Sequence, residues 1–173
     1  MSHAPGLPDR SRRALLRGRL RPASVLRPPW ALDAARFAAA CTGCGACVEA
    51  CPQAVLARAD GGLPEFVPAR GECTFCGDCA AACPEGAFAP VHEAPWSLRA
   101  TVGEACLAVR GIVCMSCRDA CGDAAIRFPP THAVPRPRVD ADRCTGCGAC
   151  VGACPAGAIS LAAAAALEVP LGA

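Results

Sequence analysis

Cysteine spacing constrains this chain more than any other feature. Cys41, Cys44, Cys47 and Cys51 stand at gaps of two, two and three residues, with Pro52 directly after the last. The same spacing recurs at Cys73, Cys76, Cys79 and Cys83 before Pro84, and at Cys144, Cys147, Cys150 and Cys154 before Pro155. Four further cysteines, Cys106, Cys114, Cys117 and Cys121, form a distorted copy, with seven residues in the first gap and Gly122 in place of the proline. The first cysteines of the groups lie at 41, 73, 106 and 144, giving steps of 32, 33 and 38. The last step is longer by five, and so is the first gap of the distorted group. Cys106 therefore falls where a repeat of 32–33 residues puts it, with an insertion behind it. Such a period indicates stacked copies of one supersecondary unit.

Composition narrows the alternatives. Sixteen of 173 residues are cysteine, against five Phe, two Trp and no Tyr, so large side chains do not supply a conventional core. Long branched apolar runs are missing, which speaks against Rossmann and TIM architectures. Low net charge (+2) and 53% apolar content disfavour disorder over the cysteine-bearing part. The uncharged window Cys144–Leu167 invites a membrane reading, but it holds four cysteines, four glycines and Pro155, so no span is expected. Near the start, Ser11-Arg12-Arg13-Ala14-Leu15-Leu16-Arg17 resembles a twin-arginine export motif. It runs on into Gly18-Arg19-Leu20-Arg21-Pro22 rather than an apolar segment, so the expected location is the cytoplasm. Thiols are kept reduced there, which weakens a disulfide reading.

The three regular groups have the run of bacterial-type [4Fe–4S] ferredoxins. Cysteines at two-residue gaps let a tight loop wrap one corner of a cubane. Gly43, Gly45, Gly77, Gly146 and Gly148 let the backbone approach closely and take positive φ. Structural zinc usually shows paired CxxC ligands separated by a longer loop, without the cysteine–proline ending. In two-cluster ferredoxins the fourth cysteine ligates the other cluster. Carried over, that pairing implies Cys41, Cys44, Cys47 with Cys83, and Cys73, Cys76, Cys79 with Cys51. It also implies Cys144, Cys147, Cys150 with Cys121, and Cys106, Cys114, Cys117 with Cys154. The 21 residues between Cys51 and Cys73 and the 22 between Cys121 and Cys144 suit two similar modules. Three clusters follow from the regular runs. The irregular group supplies a fourth, or is partly unused, or holds a labile cluster.

Asp60-Gly61-Gly62 between Gln53–Ala59 and Leu63–Val67 signals a hairpin. Ile126–Phe128, Arg136–Asp140 and Ala158–Leu161 read as short strands, and Cys47–Cys51, Cys79–Cys83 and Cys150–Cys154 as short helices. The expected fold is α+β: tandem bacterial 2[4Fe–4S] ferredoxin-like modules behind a flexible basic N-terminal arm. The boundaries are 1–36 for the arm and 37–92 and 93–173 for the modules, with a break near His92–Pro95. The arm holds eight arginines against Asp9 and Asp33, and the remainder nine against thirteen acids. Each oxidised cluster with its thiolates adds about −2, so the loaded body is acidic. The arm folds back on that body, docks on an acidic partner, or is a solubilising tail. Nucleic acid is not the expected partner, since no aromatic residues interleave with the arginines. Phe75, Trp30 and Trp96 are candidates for shielding clusters or anchoring a partner. Asp78, Glu85 and Asp119 sit beside cluster cysteines and suit field tuning better than acid–base work. His3, His92 and His132 lack ligand spacing. No nucleophile–base pair, phosphate loop, flavin or nicotinamide signature is present, so the chain does not read as an enzyme.

The chain resembles the NapF family, ferredoxin-type accessory proteins encoded with periplasmic nitrate reductases. The resemblance covers Ser11-Arg12-Arg13, Arg27-Pro28-Pro29-Trp30 and Glu72-Cys73-Thr74-Phe75-Cys76. It extends through Ala105-Cys106-Leu107-Ala108, Cys114-Met115-Ser116-Cys117 and Ala125-Ile126-Arg127-Phe128-Pro129. Ferredoxin runs alone fit many families; the arm, the RPPW stretch and the irregular group are more specific. The resemblance implies a cytoplasmic protein that contacts the precursor of the nitrate reductase catalytic subunit before its export. It further implies help with cluster loading or redox maturation there. The alternative is a general polyferredoxin passing electrons between a reductase and an oxidoreductase.

Overall fold

A computed structural model of the chain describes residues 25–59 and 61–164. The expected flexible arm and its twin-arginine-like motif lie, apart from residues 25–36, outside the described residues.

The repeat is visible in the backbone before any side chain is considered. Four one-turn helices each begin just ahead of the third cysteine of a group: α2 (Ala46–Glu49), α3 (Asp78–Ala81), α4 (Ser116–Asp119) and α5 (Ala149–Gly152). A longer helix, α1 (Ala34–Ala40), precedes them. Gly45, Gly77 and Gly148 enter α2, α3 and α5 at φ of 87°, 86° and 92°, a left-handed bend that glycine takes without steric penalty. Met115 enters α4 at φ −130°, which is why the irregular group manages without a glycine there. Three residues beyond each fourth cysteine the chain bends left-handed again, at Ala54, Gly86, Ala124 and Gly157. The next residue, Val55, Ala87, Ala125 or Ala158, is buried in every copy.

Among the described residues the strands make three antiparallel pairs. β1 (Leu56–Arg58) pairs with β2 (Pro64–Phe66), Leu56 opposite Phe66. β3 (Leu98–Val102) pairs with β6 (Ile159–Ala163) over five residues, from Leu98 opposite Ala163 to Val102 opposite Ile159. β4 (Ile126–Arg127) pairs with β5 (Arg138–Val139). The second module thus has a central pair, β4–β5, and an outer pair that joins its first and last strands. In the first module the outer pair is reduced to a bridge between Ala31 and Phe88. Leu32 N–H donates to Ala87 O at 3.1 Å, and Ala89 N–H to Trp30 O at 2.7 Å, on either side of it.

The expected hairpin is present, and strands form at each of the expected runs 126–128, 136–140 and 158–161, but β1, β2, β4 and β5 are shorter than those runs and β6 is shifted to Ile159–Ala163. Helices α1 and α4 and strand β3 were not anticipated. Asp33 caps α1 by accepting from Arg36 N–H at 3.1 Å, a legible N-cap signal hidden by assigning the segment to an arm on charge alone.

The boundary drawn at residue 36 does not match the packing. Leu26 O accepts from Phe66 N–H at 2.7 Å, and Arg27 donates to Pro64 O at 2.8 Å. Trp30 is 5% exposed and Phe37 1%. Apolar contact outweighs the charge pattern here, and residues 26–37 pack on the first module. The segment around His92–Pro95 is also tied down: Trp30 donates from Nε1 to Glu93 O at 2.9 Å and from its backbone to Pro95 O at 2.7 Å.

Candidate metal centres

Each third cysteine is carried inward on its one-turn helix. Cys47, Cys79, Cys117 and Cys150 are 8%, 7%, 8% and 7% exposed, so the irregular group buries its third thiol as deeply as the regular ones. The others are half-buried, apart from the exposed Cys44 and Cys76. None of the sixteen is paired in a disulfide.

The cysteines gather in four quartets, each drawing three from one group and one from another. At site I, Cys41, Cys83 and Cys44 surround Cys47 closely enough for their charges to act on its thiol. At site II, Cys51, Cys73, Cys76 and Cys79 line one small pocket. Site III is lined by Cys121, Cys144, Cys147 and Cys150. Site IV is lined by Cys106, Cys114, Cys117 and Cys154.

This donor set fits a cluster better than one ion. Among the described residues no three His, Cys, Asp or Glu side chains converge as they would around a single metal ion. The thiols instead stand around a space, as a polynuclear group bound at its corners requires. Backbone amides already point at sulfur. Ala100 N–H donates to Cys144 Sγ at 3.4 Å, Ala125 N–H to Cys121 Sγ at 3.3 Å, and Ala158 N–H to Cys154 Sγ at 3.3 Å. Such bonds stabilise thiolates and tune a cluster's potential. Burial first, and neighbouring thiolates next, push the thiols up: Cys79 and Cys150 to about 12, Cys73 and Cys117 to about 11. Cys47 and Cys147 rise as well, burial again the main cause. These thiols hold their protons at neutral pH without metal, so metal binding must release them.

The loops differ in what covers them. Arg58 donates to Gly43 O at 2.6 Å and also to Cys44 O, and its guanidinium fills the space a side chain at Gly45 would need. Gly77 faces Val91. Gly148 lies against Pro68 and Phe66 of the other module. Phe75 takes the loop position held by Gly43 and Gly146 in the neighbouring runs, and adopts φ 55° where they have 73° and 75°. Edge contacts to Trp30 (6.3 Å) and Trp96 (5.6 Å) hold it there and place aromatic surface over site II.

Among the other candidates, Asp78 and Glu85 are exposed, and Asp119 is engaged by Arg118 at 3.0 Å. His92 and His132 are exposed, and His3 lies outside the described residues. Sequence reasoning missed Arg58, which no local pattern marks. It also missed Asp123, which accepts from Thr145 Oγ1 at 2.7 Å and whose backbone oxygen accepts from Arg143 at 2.9 Å, tying the site III loop to the turn after Cys121.

Comparison with known proteins supports the same reading. Residues 40–88 match the 4Fe-4S dicluster domain model, and residues 137–160 the 4Fe-4S binding domain model. The ferredoxin-type protein NapF of Escherichia coli K12 is 45% identical over 154 residues, covering 88% of this chain and 94% of the relative. The chain belongs to the NapF family of ferredoxin-type proteins. NapF of Haemophilus influenzae is 42% identical over 162 residues, 87% of this chain and 92% of its own. The methylamine utilization ferredoxin-type protein MauM of Methylophilus methylotrophus is 39% identical, covering 75% of this chain and 66% of the relative. As a member of the NapF family with tandem ferredoxin-type domains, this is an iron–sulfur protein that carries multiple [4Fe–4S] clusters. The two domain models leave the irregular group outside their ranges, yet the fold gives it the same helix, bend and buried thiol as the rest. No described helix is long and apolar enough to cross a membrane.

Proposed function

We propose that all sixteen cysteines hold four [4Fe–4S] clusters, one in each of sites I to IV, with every fourth cysteine exchanged inside its module. On this reading the chain is not an enzyme but a cytoplasmic accessory protein. It acts on the precursor of the periplasmic nitrate reductase catalytic subunit, supplying a cluster or an electron before export. The supporting observation is the 42–45% identity to NapF proteins over 87–88% of the chain, a span that takes in the irregular group. The arginine-rich segment before residue 25 supplies positive charge for an acidic partner. A second reading, a general electron carrier, is favoured by the close approach of sites in different modules.

Capture of the nitrate reductase precursor by the loaded protein, under reducing conditions and across a salt series, tests the first reading. Removal of residues 1–24 is the informative truncation, because a cut at 36 would take away the buried Trp30. Precursor capture that weakens without residues 1–24 is expected; no capture at any salt rejects the maturation reading. Anaerobic iron and acid-labile sulfide counts on Cys106→Ala and Cys114→Ala test site IV. Both variants are expected to lose about a quarter of the iron. Unchanged iron in both removes site IV from the scheme.

A further inference from the structure

The module seam runs through the loops of two sites. Cys73 N–H of site II donates to Cys147 O of site III at 2.8 Å, a backbone bond between one cysteine run and another. The loop of site III can come this close because Gly148 has no side chain. A Cβ there would stand 2.8 Å from Pro68 Cβ and 3.0 Å from Phe66 Cζ. Trp96 closes the seam on one flank, its ring tilted by 35° against Phe66 at 5.0 Å and its Nε1 donating to Thr145 O at 2.9 Å. Within the modules, α2 and α3, the helices that carry Cys47 of site I and Cys79 of site II, pack together, as do α4 and α5, which carry Cys117 of site IV and Cys150 of site III.

We infer that the four sites form one uninterrupted file, I–II–III–IV, in which the step from II to III crosses the module seam at Cys73–Cys147 and sites I and IV are the two ends. The inference rests on the cluster-binding reading above and adds what the chain does with four sites. A one-electron, low-potential donor acting at one end leaves the electron able to cross to the other end. One electron enters and one leaves to an acceptor of higher potential, and no bond or proton changes place. The irregular group then has a definite role, since without site IV the file loses an end and the second module keeps only the seam site.

The test uses the full chain loaded with iron. Iron anomalous scattering from the unaltered holoprotein should show four iron positions, with II and III the closest pair between modules. Two variants give an independent readout. One removes Cys41, Cys44, Cys106 and Cys114 by alanine and keeps II and III; the other removes Cys73, Cys76, Cys144 and Cys147 and keeps I and IV. Reduced with dithionite, the first should give the broadened, split paramagnetic resonance of interacting clusters. The second should give the simple signal of isolated ones. A protein without iron at the quartets would overturn the cluster reading itself. Iron at the quartets with another pair closest across the seam, or with simple signals from both variants, would overturn the file alone.

Discussion

The two modules close the same topology by different means. In the second, β3 and β6 form a five-residue ladder, and the residues it buries are small or aliphatic: Ala100, Ile159 and Leu161. In the first, the corresponding segments meet at one bridge, Ala31 with Phe88. Aromatic packing substitutes for the missing ladder. Phe37 meets Phe88 edge-on at 5.8 Å, Arg27 sits 5.3 Å above the Phe37 ring, and Trp30 reaches Phe75. Of the seven aromatic residues, five precede the break at His92–Pro95 and only Trp96 and Phe128 follow it. Large side chains are therefore scarcest in the second module, where hydrogen-bonded strands and the cysteine sites carry the fold. Where the ladder is short, the chain concentrates most of its aromatic material.

If that contrast is right, a buried aromatic and a buried strand residue should fail in different places. Phe37→Ala removes a ring that is 1% exposed, and should cost the first module about 3–5 kcal/mol. The expected outcome in a denaturant titration of the loaded protein is early loss of roughly half the visible iron–sulfur absorbance, with the β3–β6 amides still protected from exchange. Simultaneous loss of all absorbance and all protection would show that the modules do not unfold separately. Leu161→Ala, 7% exposed in β6, should cost about 2–5 kcal/mol and strike the second module first. Hydrogen exchange should then open β3 and β6 while the Phe37–Phe88 contact persists.

Equivalent glycines give a finer comparison. Gly43 and Gly146 have the same loop position and nearly the same φ, 73° and 75°. A Cβ at Gly146 would meet Leu98 O of β3 at 2.5 Å, whereas one at Gly43 finds Gly62 O at 3.3 Å. Both alanine variants bear the left-handed penalty, roughly 1–2 kcal/mol. Only Gly146→Ala must also push back a strand. It should be the less stable of the two in matched denaturant titrations, and equal stability would show that β3 yields without cost.

The grouping of the cysteines and the rhythm of bends were legible in the sequence, because ligand spacing and glycine at positive φ are local. What packs over each loop was not. Gly45, Gly77 and Gly148 look alike as letters, yet one receives an arginine from the next strand, one a valine, and one the other module. Those partners are set by how the modules meet. Phe75 marks the same limit. Its place in the run is local information, but its tolerance of φ 55° depends on Trp30 and Trp96, each more than twenty residues away. The packing of residues 26–37 was hidden for a related reason, since charge separated residues that apolar burial joins.

The smallest expected effect isolates the ladder from the core beneath it. Thr101 and Ser160 stand opposite each other on the exposed face of β3–β6, their hydroxyls 2.8 Å apart, and Thr101 Oγ1 also donates to Ser160 O at 3.3 Å. Replacing Thr101 by valine keeps the β-branched shape and removes only the cross-strand hydrogen bonds. A cross-strand pair of this kind contributes about 0.2–1 kcal/mol. The expected shift is a slightly earlier loss of the second module's absorbance, with the first module's transition unmoved. The first module has no five-residue ladder on which the same substitution could act. A Thr101→Val effect well above that range would mean that the hydroxyl pair, rather than the backbone ladder over Ala100 and Leu161, holds the two strands together.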